Sequence, residues 1–386
     1  MRRVSVFGST GSVGQNTIDL IARRPDDFQV IALSGGGNVA LLAQQAIALR
    51  AEIAVVAQDA LLTDLQDALA GSDVKAAAGR SALLDAAMMP VDWAMSAVVG
   101  FAGLEISLAI AQVSKTLALA NKESLVCGGA LVQRACAKSG AVLLPVDSEH
   151  SAIFQCIGGA DKAVERIILT ASGGPFLNAS MKTMENATPE QAVAHPNWDM
   201  GQRISIDSAS MFNKAMEVLE THVLFDVTPD QIEVIVHPQS IIHSMVGFVD
   251  GAIMAHLGPP DMRAPIGFAL NWPERADLPV ERLDFTTLGG LTFQQPNLDQ
   301  FPSLALAQQT MEMGGLAGAA FNGAKEAALD LFLARDIGFL DMARVVRAVL
   351  GQIDAAKNGD VTLDAVIAMD ATARKISAQA AKEGFS

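Results

Sequence analysis

Residues 141–155 read AVLLPVDSEHSAIFQ, an apolar run that passes straight into Asp147, Ser148, Glu149 and His150. Ionised groups at the edge of an apolar core are costly unless a basic residue, a metal ion or solvent pairs with them. Read as the extended end of a strand, the segment points Asp147 and Glu149 the same way. Two carboxylates on one side repel each other and need a cation, and hard oxygen ligands suit magnesium or manganese. The plainer alternative makes Asp147 or Ser148 the N-cap of a helix SAIFQCI, which leaves Glu149 without a role.

A second cluster lies in DSASMFNKAMEVLETHVLF, read as one long helical run. Asn213, Lys214 and Glu217 fall at i, i+1 and i+4 and so share a helix face, with Ser208 near the N-terminus. Asn, Lys and Ser donate to phosphate and hydroxyl oxygens, and Glu217 is a hard metal ligand. A solvated face with a Lys214–Glu217 pair is the alternative. In LTASGGPF, Ser172 and two glycines offer a hydroxyl and bare N–H groups, a phosphate nest. AHPNWDMG sets His195 and Trp198 between helix breakers and reads as a lid that closes over substrate. LANKESLV places Asn121, Lys122 and Glu123 just after a strand.

The glycine loop VFGSTGSVGQNTIDLIA follows the first strand and opens the first helix, with Gly8, Gly11 and Gly14 in a GxxGxxG variant of the dinucleotide fingerprint. Glycines let the backbone turn tightly and approach a pyrophosphate, while the helix N-terminus supplies free N–H groups. An ordinary tight turn is the alternative. The second strand ends in LSGGGNV, without the acid that grips the ribose hydroxyls in NAD sites, which favours NADP. Ser34, Asn38 and backbone N–H groups are left to favour the 2′-phosphate.

These groups need elements to hold them. From Val4 to Val146, VSVF, FQVIALS, EIAVVA, VKAAA, WAMSAVV, TLALA and AVLLPV alternate with helical stretches. That alternation predicts an α/β fold whose first domain is a doubly wound, Rossmann-like parallel sheet, with ligands at the carboxyl ends of its strands. ERIILTAS, EVIVHP and a hairpin around Asp250-Gly251 then indicate a central α+β catalytic domain. Residues 274–298 have no clear period, and amphipathic segments from Pro302 on predict a C-terminal helical bundle. The expected division is 1–147, 148–273, a linker at 274–298, and 299–386.

The net charge of −15 argues against nucleic acid and anionic membranes, although local basic groups still suit an anionic small substrate. No uninterrupted run reaches the roughly 20 apolar residues of a membrane span, and the start does not read as a signal peptide. Three scattered cysteines without a CxxC pair suit a reducing cytoplasm and offer no zinc site.

In order along the chain, GSTGSVG, LANKESLV, PVDSEHSAIFQ, ASGGPF, AHPNWDMG, DSASMFNKAMEVLE, HPQSIIHSMV and PDMR resemble the motifs of the 1-deoxy-D-xylulose 5-phosphate reductoisomerase family. The resemblance covers essentially the whole chain. It implies NADPH contacts at Thr10, Gly11, Ser12, Val13, Gly36, Asn38, Asn121, Glu123 and Gly201. Gly37, in the same cofactor loop, departs from the basic residue that many relatives carry there. Asp147, Glu149 and Glu217 would hold Mg2+, Mn2+ or Co2+. Lys122, Ser148, Glu149, Ser172, His195, Ser208, Asn213, Lys214 and Glu217 would bind the sugar phosphate, with Lys122, Asp147, Glu149, His195 and Glu217 catalytic. Proton transfer is open among Lys122, Glu149 and a metal-bound water. The family also implies a homodimer. Two other readings stand beside it: an NADP-dependent dehydrogenase of another small phosphorylated substrate without skeletal rearrangement, and a non-catalytic dinucleotide-sensing protein.

Overall fold

The computed structural model describes residues 1–194, 201–354 and 361–384. By packing, the chain divides into two compact units. Residues 1–124, 132–151 and 261–281 form the first, and 125–131, 152–260 and 282–386 the second.

The first unit is built on seven strands: β1 (Arg2–Phe7), β2 (Phe28–Gly35), β3 (Ile53–Val56), β4 (Lys75–Ala78), β5 (Trp93–Ser96), β6 (Thr116–Leu119) and β7 (Val142–Pro145). Helices α1 (Ser12–Ala22), α2 (Val39–Ala48), α3 (Leu62–Ala68), α4 (Gly79–Ala87), α5 (Gly103–Val113) and α6 (Lys122–Ser139) connect them. The sheet order is β4-β3-β2-β1-β5-β6-β7 with every neighbour pair parallel, as the alternation predicts. The order reverses at β1 and β5, and that switch point opens a crevice at the carboxyl ends of the two strands. Central strands are covered on both faces, so they read as continuous apolar runs; β5 is buried at all four positions. Helix α12 (Arg263–Asn271) packs in this unit, where Ala269 accepts a hydrogen bond from the indole of fully buried Trp93 at 2.9 Å.

Helix α7 (Ser148–Ile157) starts in the first unit and ends in the second. The second unit continues with β8 (Val164–Ala171), α8 (Met181–Glu185), α9 (Pro189–Ala192), α10 (Gln202–Ala209), α11 (Phe212–Phe225), β9 (Ile232–Val236), β10 (Ile242–Phe248) and β11 (Ile253–Leu257). Its sheet runs β11-β10-β8-β9, antiparallel except for β8 with β9, and the expected hairpin at Gly251 joins β10 to β11. Helices α13 (Ser303–Met313), α14 (Ala317–Leu333), α15 (Asp341–Gln352) and α16 (Leu363–Glu383) form the expected helical C-terminal part. They share one apolar core with α10 and α11, including Phe212 edge-on to Phe321 at 5.9 Å.

Two local readings are corrected. The long helical run is two helices, because Met211 takes a left-handed conformation (φ 59°) and Ser210 turns its hydroxyl back to the carbonyls of Ile206 and Asp207. Ser208 therefore lies near the C-terminal end of α10 and not at the N-terminus of α11. Part of the linker is also docked. Val236 and Gln294 exchange backbone hydrogen bonds, and Phe293 stacks on His237 at 5.0 Å.

Candidate active site

At the switch point, the glycine loop is shaped by what a side chain would strike. Gly8 sits at φ 89°, where a Cβ would lie 2.4 Å from the Ala97 carbonyl oxygen, so the loop closes tightly on the segment after β5. At Gly14 a Cβ would lie 2.1 Å from the Gly8 carbonyl oxygen, so only glycine lets α1 start this close to the loop. Gly11 precedes α1 and leaves the helix start without a side-chain cap. Thr10 and Val13 are half-buried, and Ser12 is exposed beside them.

The second-strand loop differs from the expectation in one respect. Ser34 is buried, and its hydroxyl accepts a hydrogen bond from the Gly8 N–H at 3.1 Å, so it braces the glycine loop instead of standing open to a phosphate. Gly36, Gly37 and Asn38 are exposed, and Asn38 caps α2 by accepting from the Leu41 N–H. Asn121 is buried and caps α6 through Ser124 N–H at 2.8 Å. Its amide nitrogen donates to Val98 O at 2.6 Å, to Gly100 O and to Glu123, so both ends of the side chain are engaged within the protein.

One residue along, Lys122 opens α6 and pairs with Asp147 at 2.9 Å. Strand β7 ends at Pro145 and α7 begins at Ser148, so Asp147 stands in the N-cap position and Glu149 in the first helical turn. The extended pair expected from the i, i+2 spacing gives way to the alternative reading, a helix start with Asp147 before its first turn, and Glu149 accepts from the Ser148 hydroxyl at 2.5 Å. His150, to which the sequence assigns no role, is completely buried, with Nδ1 3.3 Å from Asp147. The signal for it was the i, i+3 step across the helix start. Burial alone would raise the Asp147 pKa, but Lys122 and His150 outweigh it and hold the carboxyl well below the usual carboxylate range.

In the second unit, α11 brings Asn213, Lys214 and Glu217 together as their spacing predicts. Asn213 donates to Glu217 at 2.5 Å, and Lys214 forms an ion pair with the other carboxylate oxygen. The solvated-face alternative fails, since Lys214 is 4% and Glu217 1% exposed. A charge pair that far from water persists only with close geometry and further hydrogen bonds. Ser172 follows β8, with Gly173 and Gly174 both at positive φ behind it. Gly174 lies against α10, a Cβ there falling 3.0 Å from the Ser208 carbonyl oxygen. Ser208 is half-buried, and Gly201 is the exposed N-cap of α10. His195 and Trp198 lie outside the described residues.

Comparison with known proteins gives one consistent result. Residues 4–129 match the family model for 1-deoxy-D-xylulose 5-phosphate reductoisomerase, and 143–225 and 257–376 match models for C-terminal domains of the same enzyme. A 1-deoxy-D-xylulose 5-phosphate reductoisomerase of Ruegeria pomeroyi is 59% identical over 97% of this chain and 96% of its own length. That of Cereibacter sphaeroides is 55% identical over 99% and 98%. Among solved structures, the Zymomonas mobilis enzyme in complex with NADPH superposes with a TM-score of 0.93 at 48% identity, over 98% of this chain and 99% of that one. A DOX-P reductoisomerase in complex with NADPH, fosmidomycin and magnesium gives 0.94 at 40% identity, over 99% and 98%.

Proposed function

The chain belongs to the 1-deoxy-D-xylulose 5-phosphate reductoisomerase family, and from that premise we propose how its residues divide the work. The activity is NADPH- and divalent-metal-dependent rearrangement and reduction of 1-deoxy-D-xylulose 5-phosphate to 2-C-methyl-D-erythritol 4-phosphate, in non-mevalonate isoprenoid biosynthesis. Identity of 59% along nearly the full length carries this conclusion. It sets aside the plain dehydrogenase and the dinucleotide sensor.

The donor sets fit both groups. Asp147, Glu149 and Glu217 are hard oxygen ligands, and Asp147 is already held anionic by its neighbours. We assign them to the metal. Thr10, Gly11, Ser12 and Val13 at the start of α1, with Gly36, Gly37 and Asn38 after β2, are assigned to NADPH, together with Glu123, Gly201 and the backbone of Asn121. When bound, the metal supplies Lewis acidity at the substrate's carbonyl and adjacent hydroxyl oxygens, and NADPH supplies the hydride.

The chain's own part is placement and proton handling. Ser172, Ser208, Asn213 and Lys214 anchor the phosphate, fixing the reacting end of a flexible sugar and removing much of the entropic barrier. Ser148 holds the Glu149 carboxylate, and Lys122, paired with Asp147, presents an ammonium to substrate oxygens. Lys122 and Glu149 are the two side chains assigned to proton transfer, and His195 to substrate contact. By role, residues 1–147 form the NADPH-binding domain, 148–273 the catalytic domain, 274–298 the linker and 299–386 the helical domain. The compact units above follow packing instead.

A homodimer and a cytoplasmic site of action complete the proposal. Strand β11 is an open edge with Ile253 and Met254 about half exposed, which a second copy would cover. Among the described residues, no helix is long and apolar enough to cross a membrane. The test is NADPH oxidation with 1-deoxy-D-xylulose 5-phosphate. It should stop with a chelator, resume with magnesium and yield the branched product by NMR. Chelator-resistant oxidation, or an unbranched product, would overturn the assignment.

A further inference from the structure

Helix α10 carries Ser208, yet its own length and caps do little to fix its position. It has eight residues, its N-cap Gly201 offers no side chain, and the left-handed Met211 separates it from α11. So short a helix is marginal without tertiary support. Ile206 and Ala209 supply apolar anchoring, and three polar ties come from the C-terminal helices. Lys325 of α14 pairs with Asp207 at 3.0 Å, both side chains being nearly closed to solvent. The Ser303 hydroxyl at the start of α13 donates to the Ser210 carbonyl at 2.8 Å. Arg203 and Asp330 add a surface pair, which contributes little.

We propose that Lys325 is a positioning residue for the phosphate end of the substrate, acting through Asp207 and α10. The inference rests on the assignment of Ser172 and Ser208 to the phosphate. Asp207 immediately precedes Ser208, so the ion pair fixes where that hydroxyl points. The same helix end abuts Gly174, whose would-be Cβ lies 3.0 Å from Ser208 O and 3.2 Å from Ala209 Cα. The turn that carries Ser172 therefore rests on α10 too, and one displacement of the helix moves two phosphate donors together. A buried charge pair responds more steeply to distance than a solvated one, which makes Lys325 the most exacting of the three ties.

The test separates positioning from stability. Replacing both partners, Asp207→Asn with Lys325→Met, removes the tie without stranding a buried charge. We expect this variant to melt within a few degrees of wild type, with KM for 1-deoxy-D-xylulose 5-phosphate up about tenfold and KM for NADPH within twofold. The kcat should hold within about threefold, since binding common to ground and transition states is what is lost. Lys325→Arg keeps the charge but displaces it, and should raise the sugar-phosphate KM about threefold at unchanged melting temperature. A folded double variant with wild-type KM overturns the proposal, and if that variant does not fold, an unchanged KM in Lys325→Arg does so. Inorganic phosphate, titrated calorimetrically, should bind the double variant several-fold more weakly. A wild type that binds phosphate but turns over no substrate would fail the functional assignment, while the phosphate titration would still decide the role of Lys325.

Discussion

Around Gly8 and Gly14 the protein specifies its shape by omission: each missing Cβ leaves room for a backbone oxygen that no side chain could share. Along α11 it does the reverse. Lys214, Asn213 and Glu217 crowd three polar side chains into a nearly dry helix face and satisfy them against one another. The first arrangement depends on backbone path and carries no net charge of its own. The second depends on charge, because removing one member strands another away from water. The two regions should therefore fail differently, one through geometry and cofactor affinity, the other through chemistry at unchanged cofactor affinity.

The sharpest way to break the second region is Glu217→Gln, which removes a proposed metal ligand and the ion-pair partner of Lys214. Turnover should fall at least ~100-fold while NADPH affinity holds. Near-normal rates at low magnesium would remove Glu217 from the metal set. In the first region, Gly8→Ala forces an unfavourable φ and a clash with Ala97, which should cost about 1–3 kcal/mol of stability and weaken NADPH binding. Thermal melting and cofactor titration would show it, and a variant with wild-type melting and affinity would refute the omission argument.

The smallest effect is expected at Gly37, where geometry and charge meet. Its backbone is not in the left-handed region, and a Cβ would lie 3.4 Å from the flexible Gln58 amide, so lysine fits. A charge-assisted contact to the 2′-phosphate is worth roughly 1.5–3 kcal/mol when well made, and less in a solvated loop. Wild type should prefer NADPH over NADH, and Gly37→Lys should raise the ratio of kcat/KM values by up to about tenfold, with NADH nearly unchanged. Equal use of both cofactors by the wild type would refute the NADP preference. An unchanged ratio in a folded Gly37→Lys variant would place the 2′-phosphate elsewhere.

The sheet strands, the hairpin and the α11 cluster were legible because period and spacing report them directly. Seven apolar runs separated by helices allow few topologies, and i, i+4 on a helix is a contact wherever the helix goes. What escaped depended on a single residue's backbone or on a distant partner. Nothing in the types of Ser210 and Met211 announces a left-handed break, and methionine rarely adopts one. Ser34 looked available because its spacing gives no hint that the Gly8 N–H would claim its hydroxyl. Asp147 and Glu149 were legible as a pair of acids, and the N-cap at Asp147 only as the plainer alternative, since the same letters serve a strand end and a helix start. Lys325 and Asp207 stand 118 positions apart, and only the fold makes them neighbours.

The docking of Gln294 on Val236 also decides where the backbone of this enzyme can be cut without taking it apart. Residues 292–294 are pinned by the bridge and by His237, whereas Phe285, 71% exposed, stands in a stretch with neither helix nor strand. Among the described residues, a chymotrypsin-like protease should nick there first. The C-terminal fragment would keep Ser303 on Ser210, Lys325 on Asp207 and Phe321 against Phe212, and so would stay bound to α10 and α11 after the peptide bond is gone. The same position is accordingly the natural place to split the gene product into two complementing halves, or to join new termini, since the junction lies outside the core that holds the halves together.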